Sequence, residues 1–211
     1  KGVKLLLADS GVFIVQSHYL LDLVQKLQHD SIYLEHLRYY SLTSLVNLFN
    51  FFDMDIFDAE HIDVHGGSIR VFVCKKGKRS IQYSVRSLLE KESEYDLNSP
   101  KTFEDFRSRV NDNREKLKIL LHDIKSKGHR IIGLGAPAKG NTLLNFCKIG
   151  PDVLDYLVET NSFKFGKYSP GMHIKIMDEA IMYKDQPEYA LLLPWNIKDD
   201  IIQKVRNRGY K

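Results

Sequence analysis

Only two cysteines occur in the 211 residues, Cys74 and Cys147. That is too few for a disulfide framework or a cysteine zinc cage, and it suits a reducing compartment. No apolar run approaches the roughly 18 residues a membrane helix needs, so a soluble chain with no membrane partner is expected. Excess charge is scarce too: 31 Lys and Arg against 27 Asp and Glu leave +4. That excess is too mild to call for nucleic acid, yet compatible with an anionic small ligand. No HExxH or CxxC spacing links the histidines and cysteines, and His61 and His65 fall in a strand–turn segment where a spacing of four does not align two ligands. No metal site is expected. There is no internal repeat, no low-complexity tract and no visible signal peptide, which gives a cytoplasmic expectation. The chain starts at Lys1 and runs almost at once into an apolar strand, which reads as a fragment.

What is present is ordinary globular composition, 43% hydrophobic and 27% charged with 11 Tyr and 11 Phe. It suffices for one large domain or two small ones. A strand is expected over residues 11–16, after the turn Asp9-Ser10-Gly11, and a short helix over 20–27. Residues 29–36 read as a loop, and Ser41 or Thr43 as the cap of a helix running to about Phe52. Two strands, 54–62 and 68–74, are joined by Asp63-Val64-His65-Gly66-Gly67. The basic run 75–79 reads as a solvated linker, and 80–96 as a bridging helix. Thr102 then opens a long amphipathic helix that stops at Gly128. Strands at 129–134, 154–159, 174–177 and 189–193 alternate with helices, the last capped by Asn196. Such alternation implies an α/β fold with a parallel sheet covered on both faces.

Four stretches can carry chemistry. Gly133-Leu134-Gly135-Ala136-Pro137-Ala138-Lys139-Gly140 sits between a strand and a helix, where glycine lets backbone amides approach an anion and the helix offers unpaired N–H groups. It matches neither a dinucleotide fingerprint nor a Walker A loop, and a plain βα turn with a surface lysine is the alternative. The stretch from Asn161 to His173, with Lys167 and Tyr168, should lie at the same sheet rim, so that two lysine-bearing loops would suit a diphosphate. In Tyr33-Leu34-Glu35-His36 an imidazole matched to proton transfer near neutrality lies beside a carboxylate that can tune it. A surface or packed pair is the alternative there. His65-Gly66-Gly67-Ser68-Ile69-Arg70 offers close backbone approach and a guanidinium for phosphate or carboxylate, or else is a hairpin turn with an exposed arginine.

Taken in order, these blocks resemble the sugar C-methyltransferases that act on nucleotide-activated deoxysugars. The resemblance is carried by Tyr33-x-Glu35-His36 with Tyr40-Ser41-Leu42-Thr43-Ser44-Leu45, and by His65-Gly66-Gly67-Ser68-Ile69-Arg70. It continues in Gly135 to Asn145 (which includes Lys139 and Asn141), Gly166-Lys167-Tyr168-Ser169-Pro170-Gly171 and Leu193-Pro194-Trp195-Asn196. It implies that residues 1–76 are the tail of a class I S-adenosylmethionine (SAM) methyltransferase domain, its last strands. Residues 77–101 would be a linker and bridging helix, and 102–211 a Rossmann-like domain that binds nucleotide-sugar. Zinc, by the same resemblance, would belong only to an N-terminal domain whose cysteines this chain lacks. The acidic-glycine SAM loop is lacking as well, so the chain alone should bind SAM poorly and be inactive by itself.

The resemblance further implies that the ketone of a nucleoside-diphosphate 4-keto-deoxysugar acidifies the neighbouring carbon, that His36 removes the proton, and that Tyr33 and Glu35 assist. Substrate would be held by His65, Gly66, Ser68, Arg70, Gly135, Lys139, Asn141, Lys167, Tyr168 and His173. The alternative is a non-catalytic nucleotide-binding module or an interaction fragment. An open sheet edge at residues 12–15 would also invite self-association.

Overall fold

The computed structural model describes all 211 residues, which divide into two units. Lys1–Gln28 and His36–Ser108 form the first; His29–Glu35 and Arg109–Lys211 form the second.

In the first unit a short helix α1 (Gly2–Leu6) precedes β1 (Phe13–His18), α2 (Leu20–Gln25), α3 (Leu42–Phe51), β2 (Met54–Ile62), β3 (Ser68–Lys75) and α4 (Tyr83–Glu94). β2 and β3 make the expected hairpin, with Ile62 opposite Ser68, and β1 pairs antiparallel with the other side of β3. The order β1-β3-β2 leaves β1 at an edge. Alternation on β3 buries Ile69, Val71 and Val73 against Leu42 and Leu45 of α3 and Val85 and Leu88 of α4. The helix expected to bridge the halves therefore packs into this core. It also supplies the buried Glu92, whose carboxylate accepts from the Leu42 and Thr43 amides at 2.5 and 2.9 Å and so closes the α3 N-terminus beside the Ser41 capping box.

The 27-residue helix α5 (Pro100–Ser126) starts in the first unit and passes to the second at Arg109. It begins two residues before Thr102, because proline tolerates the first helical turn, while the Thr102 hydroxyl donates to the Asp96 carbonyl at 2.7 Å. Beyond it come β4 (Ile131–Leu134), α6 (Ala138–Cys147), β5 (Leu157–Glu159), β6 (Ile176–Asp178), α7 (Ala180–Asp185), β7 (Tyr189–Leu192) and α8 (Lys198–Asn207). All four strands are parallel, in the order β6-β5-β4-β7. Leu121 of α5 and Leu144 of α6 cover one face, with Ile131 and Leu157. Met182 of α7 and Val205 of α8 cover the other, with Ile132 and Val158. The sheet is thus buried on both sides, as the unbroken apolar run at residues 131–134 requires. Asn196 does not cap the last helix; it lies in a 3₁₀ turn, Trp195–Ile197, and α8 starts at Lys198 with Asp199 and Asp200 in its first turn.

Candidate functional site

In the second unit the chain leaves β4 through Gly135, whose φ of +85° a β-carbon would resist, and that carbon would lie 2.8 Å from Pro194. α6 follows with Pro137 as N-cap and no side-chain hydrogen bond to its first turn. Its leading amides therefore point out at the carboxyl ends of β4 and β5, the position at which open parallel sheets hold ligands. Glu159, the last residue of β5, ties this turn to the next. Its carboxylate accepts from the amides of Thr160 at 2.8 Å and of Ala136 and Asn161 at 3.3 Å, and from Lys164 at 3.0 Å. Lys164 also donates to the Ala136 carbonyl at 2.9 Å. Burial pushes the Glu159 carboxyl up, but Lys164 and the loop amides outweigh it and hold the group below its ordinary value. Gly135, Pro137, Glu159, Thr160, Lys164 and Pro194 are among the residues around a cleft of about 400 Å³ at this rim.

Lys139, in the first turn of α6, is half-buried. Its ammonium lies 4.7 Å from the centre of the Trp195 ring and donates to Asn196. Burial lowers its pKa, and Asp30 works against that shift. Asp30 belongs to this unit through the 3₁₀ turn His29–Ser31; it is buried and accepts from the Trp195 indole at 2.5 Å. The turn packs on α6, with the His29 and Phe146 rings 5.0 Å apart. Tyr33 and Glu35 continue this stretch. Burial, helped by the Glu35 and Asp30 carboxylates, raises the Tyr33 phenol above its ordinary value, so it is a donor at neutral pH.

The loop after β5 runs along α6, where Asn145 donates to the Pro170 carbonyl at 2.9 Å. Lys167 and Tyr168 are exposed beside β6, the Lys167 carbonyl accepting from Ile176. His173 is exposed at φ +54° in the turn back to β6. Asn141 sits one turn into α6, and its carbonyl accepts from Asn145.

The first unit holds the remaining candidates. His36 lies edge-on to His18, with ring centres 4.5 Å apart, and His65 lies 6.2 Å from the same His18. The hairpin tip is held by Gln28, which donates to the Gly66 carbonyl at 2.6 Å, and by the Ser68 hydroxyl, which donates to Val64. Gly67 admits no side chain there, because a β-carbon would come within 2.0 Å of the Asp22 carboxylate. Arg70 is engaged across the sheet, donating to Gln16 at 3.0 Å and pairing with Glu60 at 3.1 Å.

The structure thus groups His36 with His65, Gly66 and Ser68 in one unit, and Tyr33 and Glu35 with Gly135, Lys139 and Asn141 in the other; the boundary passes between Glu35 and His36. Sequence reasoning gave no role to His18, Asp30 or Glu159, and carried Lys164 and Trp195 only inside longer stretches. Glu159, a carboxylate closing the strand after a glycine turn, carried a readable signal; the others are marked only by contacts distant in sequence.

A parallel sheet wound on both faces, with a glycine turn and an uncapped helix at its carboxyl rim, is a Rossmann-like α/β domain. A sequence family described as C-methyltransferase C-terminal domain matches residues 63–210, and the chain belongs to it. It is similar to the C-methyltransferase NovU of Streptomyces niveus, with 34% identity over 206 residues, 97% of this chain and 49% of that relative. The chain therefore spans about half the length of the curated relative it matches.

The residues present do not fit SAM. In the first unit no glycine turn joins β1 to α2.

Proposed function

We propose that this chain is the sugar-nucleotide-binding and proton-abstracting part of a C-methyltransferase. Its substrate would be a nucleoside-diphosphate 4-keto-deoxysugar, methylated at a carbon next to the ketone. The observation that carries the reading is the pair of loops at the β4 and β5 ends, clasped by Glu159 and Lys164 beside the open N-terminus of α6. Backbone amides and a helix dipole favour a diphosphate there. Lys139 in the first turn adds a positive charge close by, and Lys167, Tyr168 and His173 are the proposed outer contacts.

His36 is the proposed base. An imidazole takes the proton from a carbon acidified by the adjoining carbonyl, leaving an enolate whose carbon is the nucleophile. Tyr33, a donor at neutral pH, would hydrogen-bond a substrate oxygen, and Glu35 would orient or tune the base. The methyl donor, SAM by resemblance, has no seat among these residues, so proton abstraction rather than methyl transfer is proposed for this chain. Reduced thiols and a nucleotide-sugar substrate suit a cytoplasmic setting.

Proton abstraction is testable without any methyl donor. In deuterated water, thymidine-diphosphate 4-keto-6-deoxyglucose should gain one deuterium next to its ketone when incubated with the chain, read by mass spectrometry. His36→Ala should slow that exchange on the order of 10²–10⁴-fold, the usual range for a general base, with nucleotide binding retained. Unchanged exchange in the variant removes His36 from the base role.

A further inference from the structure

Seven residues of the second unit, His29–Glu35, are separated in sequence from all the rest of it. They are held by a small buried cluster. Asp30 is only 4% exposed, and its carboxylate accepts from the Trp195 indole at 2.5 Å across 165 residues of sequence. The Lys139 ammonium lies over that ring, 4.7 Å from its centre, and Lys139 and Asn196 are joined by a hydrogen bond. His29 rests on Phe146 of α6. A buried carboxylate persists only where donors and a cation compensate its lost hydration. Here the donor comes from the turn after β7 and the cation from the first turn of α6.

We infer that Asp30 and Trp195 are positioning residues: together with Lys139 they fasten the Tyr33–Glu35 stretch to the loops that grip the nucleotide, so that a bound sugar meets Tyr33 and Glu35 in one fixed register. This rests on the proposed function, which makes Tyr33 and Glu35 part of the proton-transfer machinery. The physical motive is geometric. Proton transfer tolerates little displacement, and a loop three residues from its anchor keeps its place only if the anchor does not move. Lys139 thereby has two neighbours to serve, the open end of α6 and the Asp30–Trp195 pair. A bound diphosphate near α6 would draw on the same ammonium that steadies Asp30.

The test reads deuterium exchange into thymidine-diphosphate 4-keto-6-deoxyglucose at saturating concentration, beside the affinity for thymidine diphosphate and the melting temperature. Trp195→Phe keeps the ring and loses the N–H, Asp30→Ala loses the acceptor, and Asp30→Asn keeps an oxygen for the indole. Trp195→Phe and Asp30→Ala should each slow exchange roughly 10- to 100-fold, the scale of a displacement of about an ångström. Affinity should stay within about threefold, because the α6 amides remain. Asp30→Asn should recover most of the rate, and the double variant Asp30→Ala/Trp195→Phe should be no slower than either single one. Unchanged exchange in both single variants overturns the inference. So does a loss that appears as weaker nucleotide binding or a lower melting temperature alone.

If the unaltered chain exchanges no deuterium, the proposed function fails rather than the anchor. The anchor is then judged by the emission of Trp195, the chain's single tryptophan. Asp30→Ala must change that emission, and an unchanged spectrum refutes the contact.

Discussion

Lys164 and Glu159 join two loops of the second unit: Lys164 donates to the Glu159 carboxylate at 3.0 Å and to the Ala136 carbonyl at 2.9 Å. The contact makes stability depend on acid. The Glu159 carboxyl in the folded chain titrates below its ordinary value of 4.5, so its charged form is favoured by folding. Its contribution is complete above that value and is lost as pH falls through the lowered folded value. Glu159→Gln should therefore melt at a lower temperature than the parent at neutral pH, and the gap should close as pH drops below 4.5. A gap that widens in acid contradicts the clasp. Lys164→Met should show the same neutral-pH deficit.

The two thiols should be silent in the folded state. Burial pushes Cys147 up to about 11 and raises Cys74 as well, which leaves almost no thiolate at pH 8. Ellman's reagent should find no fast thiol in the native chain and two after unfolding in guanidinium. A rapid stoichiometric reaction in the native state would contradict this packing.

Glu92 is fully buried, and its carboxylate serves the first two amides of α3 and the Thr43 hydroxyl at 2.6 Å. Glu92→Ala would leave those amides unpaired. The expected loss is about 1–3 kcal/mol of stability, the cost of orphaned buried groups, measured by denaturant unfolding. A shift under a few tenths of a kcal/mol would mean that water replaces the carboxylate without penalty.

β1 pairs with β3 alone, and Val12 and Ile14 on this edge segment are 37% and 54% exposed. An open edge of this kind templates strand addition. The 211-residue chain should associate with a second copy of itself as its concentration rises, read by light scattering. Ile14→Lys should reduce the association. A monomer at every concentration refutes the expectation.

Local features were legible in the sequence and distant ones were not. The apolar run at 131–134, ended by Gly135, marks a buried strand and its turn, and Gly66 and Gly67 between two alternating runs mark the β2–β3 hairpin. Both rest on neighbouring residues. Lysine composition also pointed to the loop after β5, yet nothing in spacing distinguishes Lys164, which reaches Ala136, from the exposed Lys167. His29–Glu35 belong to the second unit through the packing of the His29–Ser31 turn on α6 and the Asp30–Trp195 hydrogen bond, contacts with no local signature. Asn196 looked like a helix cap because it precedes an apolar period, but its side chain is engaged by Lys139 instead.

The most direct test of the account is calorimetric titration of the chain with thymidine diphosphate, with and without SAM. The clasped loops predict saturable binding that SAM leaves unchanged. Replacing Lys139 or Lys164 by Met should weaken it about tenfold or more, the worth of one charge-assisted hydrogen bond. Absence of binding, or binding indifferent to both substitutions, would contradict a sugar-nucleotide site at this rim.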